Sequence, residues 1–265
     1  MRLSKRRLFI DTVINKERSD MHNTYINPPV TEALCEFEFV PDQPLDITVV
    51  GLFYEKIRSE FPKRQQQMAI ASLPEKGAFG LTMHLRVQFS RSDGSAVVSA
   101  SPEVLTVSLL KPYTKWQDFK SLVLSNFEIF KEIISPKCLK RIGLRYINRF
   151  DFSESPTERL EDNFNFHPTV PQDLPQHYAV FADRVEIPYE EGRNRFGIAL
   201  HTMSEKPDVL SFILDLAYYT ATPESAESVA LDGIGQWIET AHDRIEDAFE
   251  KCITERCRTR FGGTK

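Results

Sequence analysis

Residues 143–150, GLRYINRF, decide how the rest of the chain is read. A strand sends successive side chains to opposite faces, so Leu144, Tyr146, Asn148 and Phe150 share one face. The other face carries Arg145 and Arg149 around Ile147, and Arg141 stands four residues upstream of Arg145 in the same row. One side of this strand looks like core and the other is lined with arginine. Antiparallel sheets with one covered and one open face are built from strands of this kind.

The flanking segments fit that frame. In NPPVTEALCEFEFV, Pro28 and Pro29 bar a helix, and Ala33, Cys35, Phe37 and Phe39 then alternate with Leu34, Glu36 and Glu38. DITVVGLFYEKIRSEFP reads as a helix with Asp46 at its start and Pro62 at its end. Three strand-like runs follow, turning at Asp93-Gly94, with Pro102 dividing the last. TKWQDFKSLVLSNFEIFKEII is amphipathic at helical spacing, with Thr114 as the expected cap and Pro136 as the stop.

After the central strand, SPTERLEDNF predicts a short helix begun by Ser155 and Pro156. Strands are expected in YAVFADRVEIPY, NRFGIALHTMS and DVLSFILDLAYYT. A single long helix is expected from about Pro223 to Thr259, striped by Ile234, Trp237, Ile238, Ala241, Ile245, Phe249 and Ile253. The expected fold class is therefore α+β: a curved, mostly antiparallel sheet with helices on one side. Its two pseudo-repeated halves span about 25–136 and 137–265 within one domain, 25–265.

With 265 residues, 41% hydrophobic and 27% charged, the chain has the composition of a globular domain with a sizeable core. A net charge of −5 disfavours nucleic acid without excluding it, since a local basic patch would be needed. Cys35, Cys138, Cys252 and Cys257 are scattered with no CxxC pair, which argues for a reducing cytoplasm. No apolar run is long enough to span a bilayer as a helix, so no membrane role is expected. Residues 1–24 read as a flexible basic tail, and Met21 competes with Met1 as the start of translation.

NPPVTEALCEF, GLRYINRF and TAHDRIEDAFEKCITERCRTRFG stand in this order and at this spacing. Together they resemble a sporadically distributed family of uncharacterised bacterial and archaeal proteins, over roughly Tyr25 to Gly262. The resemblance implies no activity, substrate or catalytic residue. The element order is separately similar to the duplicated saddle of TATA-box-binding-protein-like folds, an analogy that does not fix function.

For the arginine row, the main expectation is internal pairing. Glu32, Glu36 and Glu38 form a complementary row on the first strand, and if the two strands are neighbours, Arg141, Arg145 and Arg149 can pair across them. The functional alternative is an anion or a partner's carboxylate held by Arg145 and Arg149. Tyr146 and Asn148 are either core polar residues or a ligand-contacting pair.

His242 has Asp243 and Glu246 beside it and is expected at the surface or at a cap. The six histidines have no His or Cys partner at metal-ligand spacing, and neither a metal nor a cofactor is expected. Cys252 and Cys257 read as packing residues. No phosphate loop or nucleophile elbow is present.

Two readings of function follow. The first is a soluble binding or interaction protein that recognises another macromolecule, most simply another protein or a second copy of itself. Exposed aromatics at Phe164, Phe166, Tyr218 and Tyr219 would serve that role. The second is an enzyme or ligand-binding protein acting on a phosphate or carboxylate held by Arg145 and Arg149. A deep cavity with an acid–base group favours the second, and a shallow apolar groove the first.

Overall fold

The computed structural model describes residues 25–75, 78–153, 159–175, 180–203, 209–221 and 230–262. The basic tail, Ser155, Pro156 and the expected helix start near Pro223 lie outside them. The described chain forms an α+β fold built on one antiparallel sheet of nine strands. In chain order these are β1 (Val30–Pro41), β2 (Lys63–Glu75), β3 (Ala78–Ser90), β4 (Ala96–Ser101), β5 (Val104–Leu110), β6 (Pro136–Ser153), β7 (Ala182–Tyr189), β8 (Asn194–Met203) and β9 (Val209–Thr220). The helices are α1 (Thr48–Ile57), α2 (Trp116–Ile134), α3 (Ile234–Cys252) and α4 (Glu255–Thr259).

Across the sheet the order is β2-β3-β4-β5-β1-β6-β9-β8-β7, so β1 and β6 meet at its centre. They run antiparallel, with Glu38 opposite Arg141, Glu36 opposite Gly143 and Leu34 opposite Arg145. β6 continues onto β9, where Arg145 faces Ala217 and Ile147 faces Asp215.

The alternation read from the sequence is the alternation of burial. Ala33, Cys35, Phe37 and Phe39 are buried, as are Ile142, Leu144, Tyr146, Asn148 and Phe150, while the arginines between them are not. These inward residues join one continuous core beneath the helices. α2 packs over β1 and β5, and α3 over β6 and β9. Phe37 and Phe39 pack against Phe127 of α2, with ring centroids 4.8 and 5.8 Å away. Phe150 and Phe152 gather around Phe164 at the other end.

Local chemistry sets the turns. Asp93 Oδ1 accepts from the backbone N–H and hydroxyl of Ser95, at 2.9 and 2.8 Å, and Gly94 takes the positive φ (75°) of the β3–β4 turn. Pro102 and Glu103 turn β4 into β5. Asp46 Oδ1 accepts from the N–H of Thr48 at 2.8 Å, but the N-cap is Ile47, one residue after the expected Asp46.

Several expectations need correction. α2 starts after Lys115, not Thr114, and no side chain caps it. The short helix of the second half is a 3-10 turn at Leu160–Asp162. The closing helix is two helices. Ile253 leaves helical geometry, forms an isolated bridge to Phe164, and Thr254 then caps α4 through its hydroxyl. At the break Ile253 is buried and its backbone bridges to Phe164. Among the described residues the halves also differ in content: the first has five strands with α1 and α2, the second four strands with α3 and α4.

Candidate functional site

The two faces of β6 lead to two different environments. On the open face the arginine row is held by carboxylates, though mostly not those of β1. Arg145 donates from Nε and Nη2 to the two oxygens of Asp215, at 2.7 and 2.5 Å. The contact is bidentate, the arrangement that suits a planar guanidinium, while on β1 the register puts Leu34 opposite Arg145. Those bonds, opposed by partial burial and helped by the charges of Asp215 and Glu32, push the Arg145 ionisation up. Arg149 donates to Asp151 at 2.9 Å, and Ser211 donates to the same oxygen at 2.6 Å.

Glu36 lies 3.8 Å from Arg141 but receives Arg86 at 3.3 Å and the hydroxyl of Thr106 at 3.1 Å. Glu38 takes Lys140. The expected Arg145–Glu36 and Arg149–Glu contacts are thus replaced by Asp215 and Asp151. Arg141 rests over the ring of Tyr219, 5.0 Å from its centroid.

The covered face leads to a cavity of about 130 Å3. The opening segment supplies Tyr25, Pro28 and Pro29, the stretch before α2 supplies Tyr113, α2 supplies Trp116, and α3 supplies His242, Ile245, Glu246, Phe249 and Glu250. Tyr146 and Asn148 of β6 also line it. The side chain of Asn148 donates to the carbonyl of Leu214 at 3.1 Å and ties β6 to β9.

The Tyr146 hydroxyl joins a polar row: it lies 3.1 Å from the hydroxyl of Tyr113 and 3.2 Å from Nδ1 of His242. On the far side of the imidazole, Nε2 is 3.6 Å from a carboxylate oxygen of Glu246. The indole of Trp116 stacks flat on the imidazole, with centroids 4.0 Å apart and planes 9° from parallel. The indole N–H donates to Glu239 at 3.0 Å, and Lys120 takes the other oxygen of that carboxylate. At the cavity's edge Tyr25 donates to Glu250 at 2.5 Å, and Arg258 donates to the second oxygen at 2.8 Å.

Burial shapes the proton chemistry of the row. It pushes Tyr113 up to about 12; the hydrogen bond with Tyr146 lowers it in part, and the charge of Glu246 adds to the rise. Burial carries Tyr146 well above its ordinary value, and the Tyr113 contact and Glu246 carry it further. Both phenols therefore keep their protons well beyond neutral pH.

No protein-family model and no curated protein matches the chain. The geometry has to carry the functional reading. It joins Tyr146 and Asn148 at the cavity and leaves Arg141, Arg145 and Arg149 on the opposite side of the sheet. His242 is buried, not at the surface or a cap. Phe164 and Tyr218, expected as exposed aromatics, are 0% and 1% exposed, and Phe166 and Tyr219 are half-buried.

The sequence did contain a signal for His242: it follows Ile238 by four residues and precedes Ile245 by three, which puts it beside the apolar stripe. Nothing in the local pattern connects Tyr25, Tyr113 and Trp116 to it. Cys252 and Cys257 are buried, and burial pushes the Cys252 thiol up to about 11, as suits packing residues. Among the described residues no three His, Cys, Asp or Glu side chains gather as a metal site, and no helix is long and apolar enough to cross a membrane.

Proposed function

We propose that this chain is a binding protein, acting in the cytoplasm without catalysis, whose recognition centre is the cavity between β6, α2 and α3. One observation carries this reading: the cavity combines aromatic walls with a fixed polar row, Tyr113–Tyr146–His242, at hydrogen-bonding distances of 3.1 and 3.2 Å. A largely apolar pocket with a few oriented polar groups suits recognition of a small ligand or of one group on a macromolecular partner. Phenols that keep their protons serve better as hydrogen-bond donors to a guest than as bases that deprotonate it.

Anion binding at Arg145 and Arg149 has less support. An incoming phosphate or carboxylate would have to displace Asp215 and Asp151, already at 2.7 and 2.9 Å. The test is ligand-observed NMR with a fragment panel of cations, neutral molecules and anions, run on the parent protein and on Ile245→Phe, which fills the cavity. Fragments should bind the parent and not the filled variant, with the melting temperature checking that the variant is folded. Equal binding to both proteins would remove the cavity from consideration.

A further inference from the structure

Resting on that binding reading, the lining of the cavity also speaks to the class of guest. Five aromatic rings, Tyr25, Tyr113, Trp116, Tyr146 and Phe249, contribute to its walls, and two carboxylates, Glu246 and Glu250, stand on the α3 side. Aromatic faces carry negative electrostatic potential, which attracts cations, most strongly where water is excluded. The one lysine of the lining, Lys115, is 57% exposed at the side chain and lies 3.8 Å from Asp118. Arg258 is not part of the lining and is bound to the Glu250 oxygen that Tyr25 does not hold.

The volume of about 130 Å3 is close to the ~150 Å3 of an apolar cavity that accepts a benzene-sized guest. It suits a compact head group and is too small for a stretch of polypeptide backbone. We propose that the cavity takes an organic cation, a substituted ammonium or guanidinium group, against the rings of Tyr25, Tyr113 and Trp116 and the carboxylate of Glu246. The negative potential this requires is consistent with the ionisation of both tyrosines of the row, which the Glu246 charge helps, after burial, to push up. Such a cation could be a free small amine or the side chain of a partner protein. The chemistry recognised is the same.

Calorimetric titration of the full chain with choline, its uncharged carbon isostere 3,3-dimethylbutanol and the anion 3,3-dimethylbutyrate separates the possibilities. Choline should bind at least about tenfold more tightly than the isostere, and the anion should not bind. Glu246→Gln should weaken choline about tenfold and leave the isostere within about twofold. Tyr113→Leu should do the same through loss of the ring face, and thermal melts establish that both variants fold.

A trimethyllysine peptide and an arginine peptide, titrated alongside, identify the source. Peptide binding tighter than choline assigns the cation to a partner protein, and the reverse assigns it to a free amine. Isostere or anion binding as tightly as choline would overturn the cation assignment while leaving the cavity a binding site. If no probe of any charge binds, the binding reading falls as well.

Discussion

The two faces of β6 are a single stretch of backbone in two dielectric environments. Toward the helices, Tyr146 and Asn148 are 5% and 2% exposed; the Tyr146 hydroxyl meets Nδ1 of His242 and the Asn148 amide donates to the Leu214 carbonyl. Toward solvent, Arg145 meets both oxygens of Asp215 at 2.7 and 2.5 Å, shorter than the bonds of Tyr146 and Asn148, yet its side chain is 45% exposed. Water screens the second pair and is excluded from the first group. The comparison teaches that contact geometry ranks interactions only after burial has been taken into account.

The largest test of this contrast is Phe150→Ala, on the covered face, where the ring is 1% exposed and packs against Phe164 and Phe261. It should destabilise by about 3–5 kcal/mol in denaturant unfolding. A loss under about 1 kcal/mol would mean that this face is not the core.

Asn148→Ala comes next. It leaves the Leu214 carbonyl without its side-chain donor and should cost about 1–3 kcal/mol, with β6–β9 amides exchanging faster with solvent. Unchanged exchange at β9 would show that the two strands do not depend on this bond.

Alkaline titration sharpens the same point. The folded ionisation of Tyr113, at about 12, lies above its ordinary value near 10 in the unfolded chain. A raised folded value means that its contribution is complete below about pH 10 and is lost as the pH rises toward about 12. Phenolate absorbance should therefore rise together with unfolding in this window, and Tyr113→Phe should remove part of the pH dependence. Ionisation of Tyr113 near 10 in the intact protein would contradict its burial.

On the open face, a cycle of Arg145→Ala, Asp215→Ala and the double variant should give a coupling of only about 0.2–1 kcal/mol, falling as salt is added. A salt-independent coupling above about 2 kcal/mol would reverse the ranking of the two faces.

The smallest effect is expected at Asp151. Burial raises its ionisation, but the bonds from Ser211 and Arg149 outweigh this and hold the carboxyl below the ordinary range. Its stabilising part is present above the unfolded value near 3.9 and fades as the pH falls through the depressed folded value. Arg149→Ala should bring the Asp151 carboxyl resonance back toward its ordinary titration, and no movement would mean that Ser211 alone sets it.

The sequence by itself determined what depends on period and local stereochemistry. The alternation of GLRYINRF and ALCEFEF determined which side of each central strand is buried, because a pleated strand has only two faces. Asp93-Gly94 and Pro102 determined two of the turns through side-chain capping and a fixed φ. The same patterns pointed to a one-sided antiparallel sheet.

Only the tertiary structure decided who meets whom. Arg145 pairs with Asp215 of β9, seventy residues away, and not with the β1 glutamates, because the register sets Leu34 opposite it on β1, and only strand pairing decides this. The break at Ile253 coincides with a bridge to Phe164, a contact that no helical periodicity encodes. Tyr25, Tyr113, Tyr146 and His242 stand in four separate segments, and the cavity exists because the sheet brings β6 under the meeting point of α2 and α3. Spacing along a chain reports the faces of single elements, and a site assembled between elements depends on packing that no single segment contains.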